Sequence, residues 1–179
     1  MSLPFSSWLQ RGRGQSSSLA LRALTLCVVA LLQANAAAAA SPIKNCQPDK
    51  IAEAGKINIA DYKGKVVYVD FWASWCGPCR ASFPFMNTLQ KDFASDVVIV
   101  AVSVDSEKSD AETFLKETPA NFLLGIDSAG VCPQEFNVKG MPSTYIFDRT
   151  GALVYSHEGF RKNDPDKLRQ KVTEIVGTK

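Results

Sequence analysis

Apolar residues along the chain are grouped in short runs separated by polar stretches, and these runs predict the strands. Residues 66–71 and 97–104 are apolar and rich in β-branched side chains, as expected of strands buried on both faces. A shorter run over 122–126 predicts a third strand. The alternating residues 57–59 predict a short edge strand, and the polar residues 61–65 that follow predict a turn.

Amphipathic segments between the apolar runs predict the helices. Four segments carry such a pattern or a helix-start signal: 80–93, 109–117, 129–136 and 164–176. Pro84 lies inside the first of these, where it should kink the helix rather than end it. Ser109 or Asp110 can cap the second helix, and Asp164, followed by Pro165, should cap the last one.

The C-terminal part of the chain predicts a β-hairpin. Two further strands, 143–147 and 152–156, flank residues 148–151, and Gly151 suits the left-handed position of the turn. The predicted order is therefore β-α-β-α-β-α-β-β-α. Strands that alternate with helices and then end in a hairpin imply a mixed sheet with helices on both faces. The pattern thus predicts an α/β domain with three layers.

Residues 1–40 have the composition of an export signal. Residues 1–22 are polar and basic, residues 23–32 are apolar and uncharged, and residues 34–36 offer small side chains for cleavage. A basic start, a short apolar core and such a site are typical of a secretory signal peptide. We therefore predict a signal peptide over residues 1–40 and a single domain over residues 41–179.

Two other interpretations of this N-terminal segment stay open. The apolar core has about half of the roughly 20 residues that a spanning helix needs, yet an uncleaved segment through Ala40 could anchor the domain in a membrane. Serine and arginine residues without acids are also compatible with an organelle transit peptide. A lipoprotein signal at Cys27 is disfavoured, because Leu26 is too large for the position before a lipidated cysteine.

The charge of the predicted domain excludes one class of function. The whole chain carries a net charge of +2, but residues 1–36 contain three arginines and no acid. The remaining residues carry 17 basic and 18 acidic side chains. The domain is therefore close to neutral, whereas a nucleic-acid binder concentrates basic residues on its surface.

The Cys76-Gly77-Pro78-Cys79 element carries the candidate chemistry. Two cysteines at this spacing at a helix start can alternate between a dithiol and a disulfide. We expect Cys76 in the first turn, where unpaired amides and the helix dipole stabilise a thiolate, so Cys76 is the predicted nucleophile. Cys79, one turn further into the helix, is the predicted resolving cysteine. Pro78 fixes the backbone where the helix begins.

A zinc site is the main alternative for such an element. Structural zinc takes four ligands, and outside the N-terminal segment the chain adds only His157, Cys46 and Cys132 at isolated positions. We therefore predict redox chemistry without a metal or a bound cofactor. Cys46 and Cys132 can form a second disulfide in an oxidising compartment, remain free thiols or serve separate redox roles. The sequence leaves these possibilities open.

Two segments identify a family resemblance. Residues 69–80, VDFWASWCGPCR, resemble the active-site strand–helix junction of thioredoxins, and residues 140–144, GMPST, resemble the cis-proline loop of that superfamily. The resemblance implies that Pro142 is cis and lies against the cysteine pair. It also implies that the backbone of Met141 pairs with a bound substrate.

Asp70 is conspicuous in an otherwise apolar strand, because an unpaired buried carboxylate is costly. In thioredoxins the matching acid is buried and assists proton transfer at the resolving cysteine, a role for which burial would raise its pKa. The family's common lysine partner falls at Ala101 in this chain. An acid with solvent access at the strand end is the alternative. We interpret Trp72 as a packing residue and Trp75 as an exposed contact for partners.

Residues 59–67, together with the active-site segment, resemble TlpA- and ResA-type exported reductases, and the resemblance covers about residues 55–177. It implies a thioredoxin-like α/β/α sandwich, with a strand–helix insertion between Cys79 and Pro142. It further implies a periplasmic protein-disulfide reductase that receives electrons from a membrane-embedded thiol donor. Cytochrome c maturation is one plausible pathway, although Ser143 stands where those members often carry an acid.

Two other classes of function are also compatible with the sequence. An exported dithiol protein can be an oxidase or isomerase, but the Gly77-Pro78 pair and the lack of a helical insertion domain argue against this. A thiol-dependent chaperone or a copper-handling protein would use the cysteines for binding. Copper handling favours clusters of methionine or histidine, and the chain contains three methionines and one histidine.

Overall fold

The computed structural model of this chain describes residues 46–178. The predicted signal peptide over residues 1–40, and with it the possible anchor, lies outside the described residues. The strands are β1 (Asp49–Lys50), β2 (Val66–Trp72), β3 (Val97–Ser103), β4 (Leu123–Ile126), β5 (Ser143–Phe147) and β6 (Leu153–Glu158). The helices are α1 (Gly77–Asp92), α2 (Lys108–Glu117), α3 (Val131–Glu135) and α4 (Asp164–Gly177), and a 3-10 helix spans Ile59–Tyr62.

The six strands form one mixed sheet in the order β1-β4-β3-β2-β5-β6. β2 lies inside the sheet, where it pairs with β3 in parallel and with β5 in antiparallel orientation. All seven of its residues are buried. The edge strand β6 alternates between half-buried and exposed residues, as expected where one face meets solvent. The predicted α/β class and mixed sheet are confirmed.

Helical elements cover both faces of this sheet. Side chains of a strand alternate between its faces, so Tyr68 and Trp72 of β2 share one face and Val67 and Phe71 the other. The first face packs against residues from α1, α2 and α4, namely Phe83, Met86, Leu89, Phe114 and Val172. The second face packs against Ile59, Cys132 and Phe136, from the 3-10 helix and the α3 region. The cysteine-bearing helix α1 therefore lies on the first face.

Three local predictions were wrong, two of them because a polar side chain makes a different bond. Residues 57–59 do not form an edge strand; the Asn58 side chain accepts a hydrogen bond from the Ala60 amide and caps the 3-10 helix. The N-cap of α2 is Glu107, without a side-chain bond, rather than Ser109 or Asp110. The N-cap of α4 is Asn163, because the Asp164 carboxylate instead accepts a bond from the backbone amide of Arg161.

The predicted hairpin is confirmed, and Pro84 does not end its helix, as expected. β5 and β6 pair in antiparallel orientation, and Gly151 has a φ of 87°, in the left-handed region. Pro84 lies inside α1, which continues past it to Asp92. Two strand–helix units, β3–α2 and β4–α3, separate Cys79 from Pro142. Along residues 46–178, none of the helices has both the length and the apolar character needed to cross a membrane.

Candidate active site

The cysteine pair lies at the junction between β2 and α1. Cys76 is the N-cap residue of α1, and its backbone amide bonds to the Ala73 carbonyl at 3.1 Å. Cys76 and Cys79 are joined by a disulfide, and the Cys79 amide donates to the Cys76 sulfur over 3.2 Å. Pro78 occupies the first turn, as predicted. Cys76 is 5% exposed and Cys79 is 0% exposed, so Cys76 is the member of the pair with surface open to a partner.

The predicted cis proline is confirmed, because the Met141–Pro142 peptide bond is cis. The antiparallel register places Ser143 opposite Phe71, so Pro142 lies at the same end of the sheet as the loop that carries Cys76. The Pro142 carbonyl accepts a bond from the Gly159 amide at 2.7 Å. Met141 is half-buried and packs against the cluster that contains both active-site cysteines.

Asp70 is a buried acid, 1% exposed, on the face of β2 that packs against α1. Burial raises its pKa to about 7, and a hydrogen bond from Thr144 partly opposes that rise. Thr144 Oγ1 donates to Asp70 Oδ1 over 2.7 Å, whereas Oδ2 has no partner among the described residues. Ala101 pairs with Asp70 in register, so the position expected for the family's lysine carries no charge.

The hydroxyl groups of Tyr68 and Thr144 near Asp70 were not predicted from the sequence. The Tyr68 hydroxyl lies 3.2 Å from Thr144 Oγ1, which in turn bonds to Asp70. The alternation of strand residues already placed Tyr68 and Asp70 on one face. The contribution of Thr144 depends on the pairing of strands that are 74 residues apart in the chain, which the sequence does not reveal.

Asp105 is a second residue near the site that the sequence pattern did not identify. Its carboxylate is buried and accepts hydrogen bonds from the Ser74 amide, the Ser74 hydroxyl and the Ser103 hydroxyl, at 2.8 to 3.1 Å. These bonds fix the loop two residues before Cys76. The available signal was an aspartate that follows directly on a buried strand, at the end of the sheet where the β2 loop also lies.

Three larger side chains surround the site in distinct ways. Trp75 is 71% exposed and directly precedes Cys76 in the chain. Trp72 is buried and packs against the rings of Phe83 and Phe114. Arg80 bonds to Glu117 and Thr118 and lies over the Phe114 ring. The guanidinium is therefore held toward α2, and Trp75 is the large side chain left available to a partner.

The remaining cysteines lie away from this site. Cys46 and Cys132 form a disulfide, and both are buried among residues on the opposite face of the sheet from Cys76 and Cys79. His157 stacks on Tyr155, and its Nε2 is 3.1 Å from the buried carboxylate of Asp164. Within residues 46–178, no three His, Cys, Asp or Glu side chains are grouped as metal ligands would be.

These observations define a class of protein. The site combines an N-cap cysteine joined to a buried partner one turn later, a cis proline at the same end of the sheet and a buried acid on the face that packs against α1. Together these features are the dithiol centre of a thioredoxin fold. The chain belongs to the Redoxin family, whose model matches residues 38–172. Within the thioredoxin superfamily it is a TlpA/ResA-like protein.

Relatives support this placement. The thioredoxin-like protein YneN of Bacillus subtilis is 39% identical over 107 residues, which is 58% of this chain and 62% of YneN. The chain thus spans less than two thirds of that relative. The thiol-disulfide oxidoreductase ResA of Bacillus thuringiensis subsp. konkukian is 29% identical over 123 residues, 68% of this chain and 71% of ResA.

A solved structure extends the similarity to three dimensions. A Chlorobium tepidum protein assigned as a thiol:disulfide interchange protein DsbE is 39% identical and superposes with a TM-score of 0.74. The match covers 77% of this chain and 97% of that protein. The similarity therefore extends over nearly the whole length of the Chlorobium tepidum protein.

Proposed function

We propose that this protein is an exported thiol–disulfide oxidoreductase that acts as a protein-disulfide reductase through Cys76 and Cys79. In this proposal the cysteine pair carries the electrons and no bound cofactor is required. Protein disulfides are the substrates. A membrane-embedded thiol donor returns the pair to the dithiol in the periplasm.

The difference in exposure between the two cysteines carries this proposal. Cys76 has some exposed surface and caps α1, whereas Cys79 is fully buried beneath it. A nucleophile has to meet a protein disulfide from outside, and a resolving cysteine has to meet only the nucleophile. The Cys79 amide, 3.2 Å from the Cys76 sulfur, also donates to the negative charge that a Cys76 thiolate would carry.

The reaction follows from these positions. The Cys76 thiolate attacks one sulfur of the substrate disulfide; that bond breaks, and its electron pair leaves on the other substrate sulfur, which takes up a proton. Cys79 then loses its proton and attacks Cys76. The Cys76–Cys79 bond forms, and the second substrate sulfur leaves as a thiolate. Two electrons have passed from the dithiol to the substrate.

The reduction potential of the Cys76–Cys79 pair tests the direction of electron flow. Equilibration with defined glutathione ratios, followed by alkylation and mass spectrometry, reports this pair separately from Cys46–Cys132. A reductase is expected to have a potential below about −200 mV, in the range of reducing thioredoxin-type proteins. A value near −120 mV, typical of a strong oxidant, would instead favour the oxidase interpretation.

Trapping tests the nucleophile and the substrates. Cys79→Ala removes the resolving sulfur, so substrates should accumulate as mixed disulfides on Cys76. Cys76→Ala is the matched control, which should trap nothing. Accumulation on Cys79 in that control, or an absence of mixed disulfides in Cys79→Ala, would contradict the assigned roles.

Export is supported by the signal-peptide pattern of residues 1–40 and by the buried Cys46–Cys132 disulfide, a bond that persists mainly in oxidising compartments. Fractionation and N-terminal sequencing of the mature protein test this part of the proposal. We expect a soluble periplasmic form whose N-terminus lies within 35–41. Retention of an intact N-terminus in the membrane fraction would show an anchor instead.

A further inference from the structure

Thr144 lies between two ionisable side chains of the neighbouring strand. Tyr68 and Asp70 point to the same face of β2, and Thr144 faces Asp70 directly across the β2–β5 pairing. Thr144 Oγ1 is 2.7 Å from Asp70 Oδ1 and 3.2 Å from the Tyr68 hydroxyl. All three side chains are buried.

The direction of these hydrogen bonds follows from the number of protons available. An ionised carboxylate only accepts, so the single hydroxyl proton of Thr144 is donated to Asp70 Oδ1. Thr144 then has no proton left for Tyr68, and the Tyr68 hydroxyl must donate to Thr144 Oγ1. Burial raises the pKa of Tyr68 well above its ordinary value, so Tyr68 keeps the proton that this arrangement requires.

The same arrangement makes the two oxygens of Asp70 unequal. Oδ1 accepts the Thr144 bond whether Asp70 is charged or neutral. Oδ2 is buried and has no partner among the described residues. A proton that arrives at Asp70 therefore binds to Oδ2.

We propose that Thr144, oriented by Tyr68, is a positioning residue that restricts proton exchange by Asp70 to Oδ2. The proposal rests on the function proposed above. Thr144 takes the place of the lysine that thioredoxins commonly carry and that this chain replaces with Ala101. In the resolving step, Asp70 Oδ2 accepts the proton of the Cys79 thiol. The Cys79 thiolate then forms the bond to Cys76, and the substrate sulfur leaves with the electron pair of the broken mixed disulfide.

Other ionisable groups on this side of the sheet must be considered. Those nearest the three side chains along the sheet and the helices that pack on it include Tyr155 and His157 on β6, the cysteine pair at the start of α1, and Asp164 and Lys171 on α4. His157 pairs with Thr144 in register, but its Nε2 lies 3.1 Å from Asp164. Lys171 lies over the Tyr155 ring. Lys171 also pairs with Glu174 at 2.6 Å. Both side chains thus have contacts other than Asp70, and among the described residues the Thr144 hydroxyl donates to Asp70.

The pKa of Asp70 in the oxidised protein tests the proposal independently of catalysis, because the cysteines do not titrate in that state. It can be followed by carbon NMR of the labelled carboxyl group. Thr144→Val keeps the shape of the side chain and removes the donor to Asp70, so the pKa of Asp70 should rise by about one to two units. Thr144→Ser restores the hydroxyl and should return the pKa to within about half a unit of the wild-type value.

The rate of the resolving step gives a second readout. Stopped-flow reaction of the reduced protein with a peptide disulfide, from pH 5 to pH 9, should show the pH midpoint of Thr144→Val moving upward with the pKa of Asp70. Thr173→Val, a matched change on the exposed face of α4, should leave this profile unchanged. Should Thr144→Val not fold, Tyr68→Phe serves as the second variant and should produce a smaller rise in the same direction.

The outcomes separate this proposal from the proposed function. An unchanged Asp70 pKa in Thr144→Val, or a serine variant that behaves like valine, overturns the positioning role even if the wild type exchanges disulfides. Absence of any exchange by the wild type overturns the proposed function, while the NMR titration still decides whether Thr144 controls Asp70.

Discussion

Ser74 gives both its backbone amide and its hydroxyl to the carboxylate of Asp105, at distances of 2.8 to 3.1 Å. These hydrogen bonds link the end of β3 to the loop that carries Cys76. It allows a loop without regular structure to hold the nucleophile in a fixed position, because a buried carboxylate orients several donors at once.

We expect Asp105→Asn to loosen this loop. The amide keeps the shape of the side chain but presents an NH₂ group to donors, so the protein should lose about 1–3 kcal/mol of unfolding free energy. Urea unfolding of the oxidised protein measures the loss. Glu112→Gln, on the exposed face of α2, is the control and should change stability by no more than about 0.5 kcal/mol. Equal effects of the two changes would contradict the role of Asp105.

The raised pKa of Asp70 predicts a pH-dependent stability. The folded-state pKa of about 7 lies above the value of about 3.9 expected in the unfolded chain, so the folded state binds the extra proton between these values. The contribution of Asp70 to stability is thus fully present below about pH 4 and is lost as the pH rises through about 7.

Asp70→Asn removes this titration and keeps an oxygen that can accept the Thr144 bond. The variant should match the wild type near pH 4 and exceed its unfolding free energy by a few kcal/mol at pH 8. It should also slow the resolving step by about 10²-fold, because it cannot accept the Cys79 proton. Urea titrations at both pH values, combined with the stopped-flow assay, check the two effects. A constant stability difference across this pH range would be the contradicting result.

The Cys46–Cys132 disulfide is expected to stabilise the fold without taking part in exchange. It joins residues that are 86 positions apart, and replacement of both cysteines with alanine should cost about 2–5 kcal/mol. The reduction potential of Cys76–Cys79 should not change, because the two pairs lie on opposite faces of the sheet. A shifted potential in the double variant would show that the pairs are coupled.

Trp75 and Trp72 offer a matched pair for separating docking from folding. Trp75→Ala should leave stability within about 0.5 kcal/mol of the wild type, because the ring is 71% exposed. It should raise the KM for protein disulfides more than that for a small disulfide. Trp72→Ala removes a buried ring and should cost about 3–5 kcal/mol of unfolding free energy. An equal change in KM for protein disulfides and for the small disulfide would show that Trp75 is not part of the docking surface.

Sequence alone predicted the elements that depend on local pattern. The apolar runs gave β2 and β3 within one residue at each end, and the C-x-x-C motif placed Cys76 at the start of α1. Such features are encoded within a few neighbouring residues. The resemblance to thioredoxins supplied Pro142, which local pattern would not have marked as cis.

The parts that sequence did not predict depend on contacts between distant residues. Thr144 reaches Asp70 only through strand register, and Ser74 reaches Asp105 across 31 positions. The incorrect edge strand at 57–59 has a local cause, because the side chain of Asn58 competes with strand pairing for the backbone. Polar side chains with several alternative partners were thus the main source of error.

The sheet that separates the two disulfides also limits which sulfurs can ever exchange. Four cysteines can be joined in three ways, but in the folded domain a β-sheet stands between Cys76 and the buried Cys46–Cys132 bond. In the function proposed above, the sheet keeps Cys76 apart from the other disulfide of its own chain, so that Cys76 can exchange with disulfides of other proteins while the Cys46–Cys132 bond stays intact. Scrambling is confined to the time before the sheet has formed.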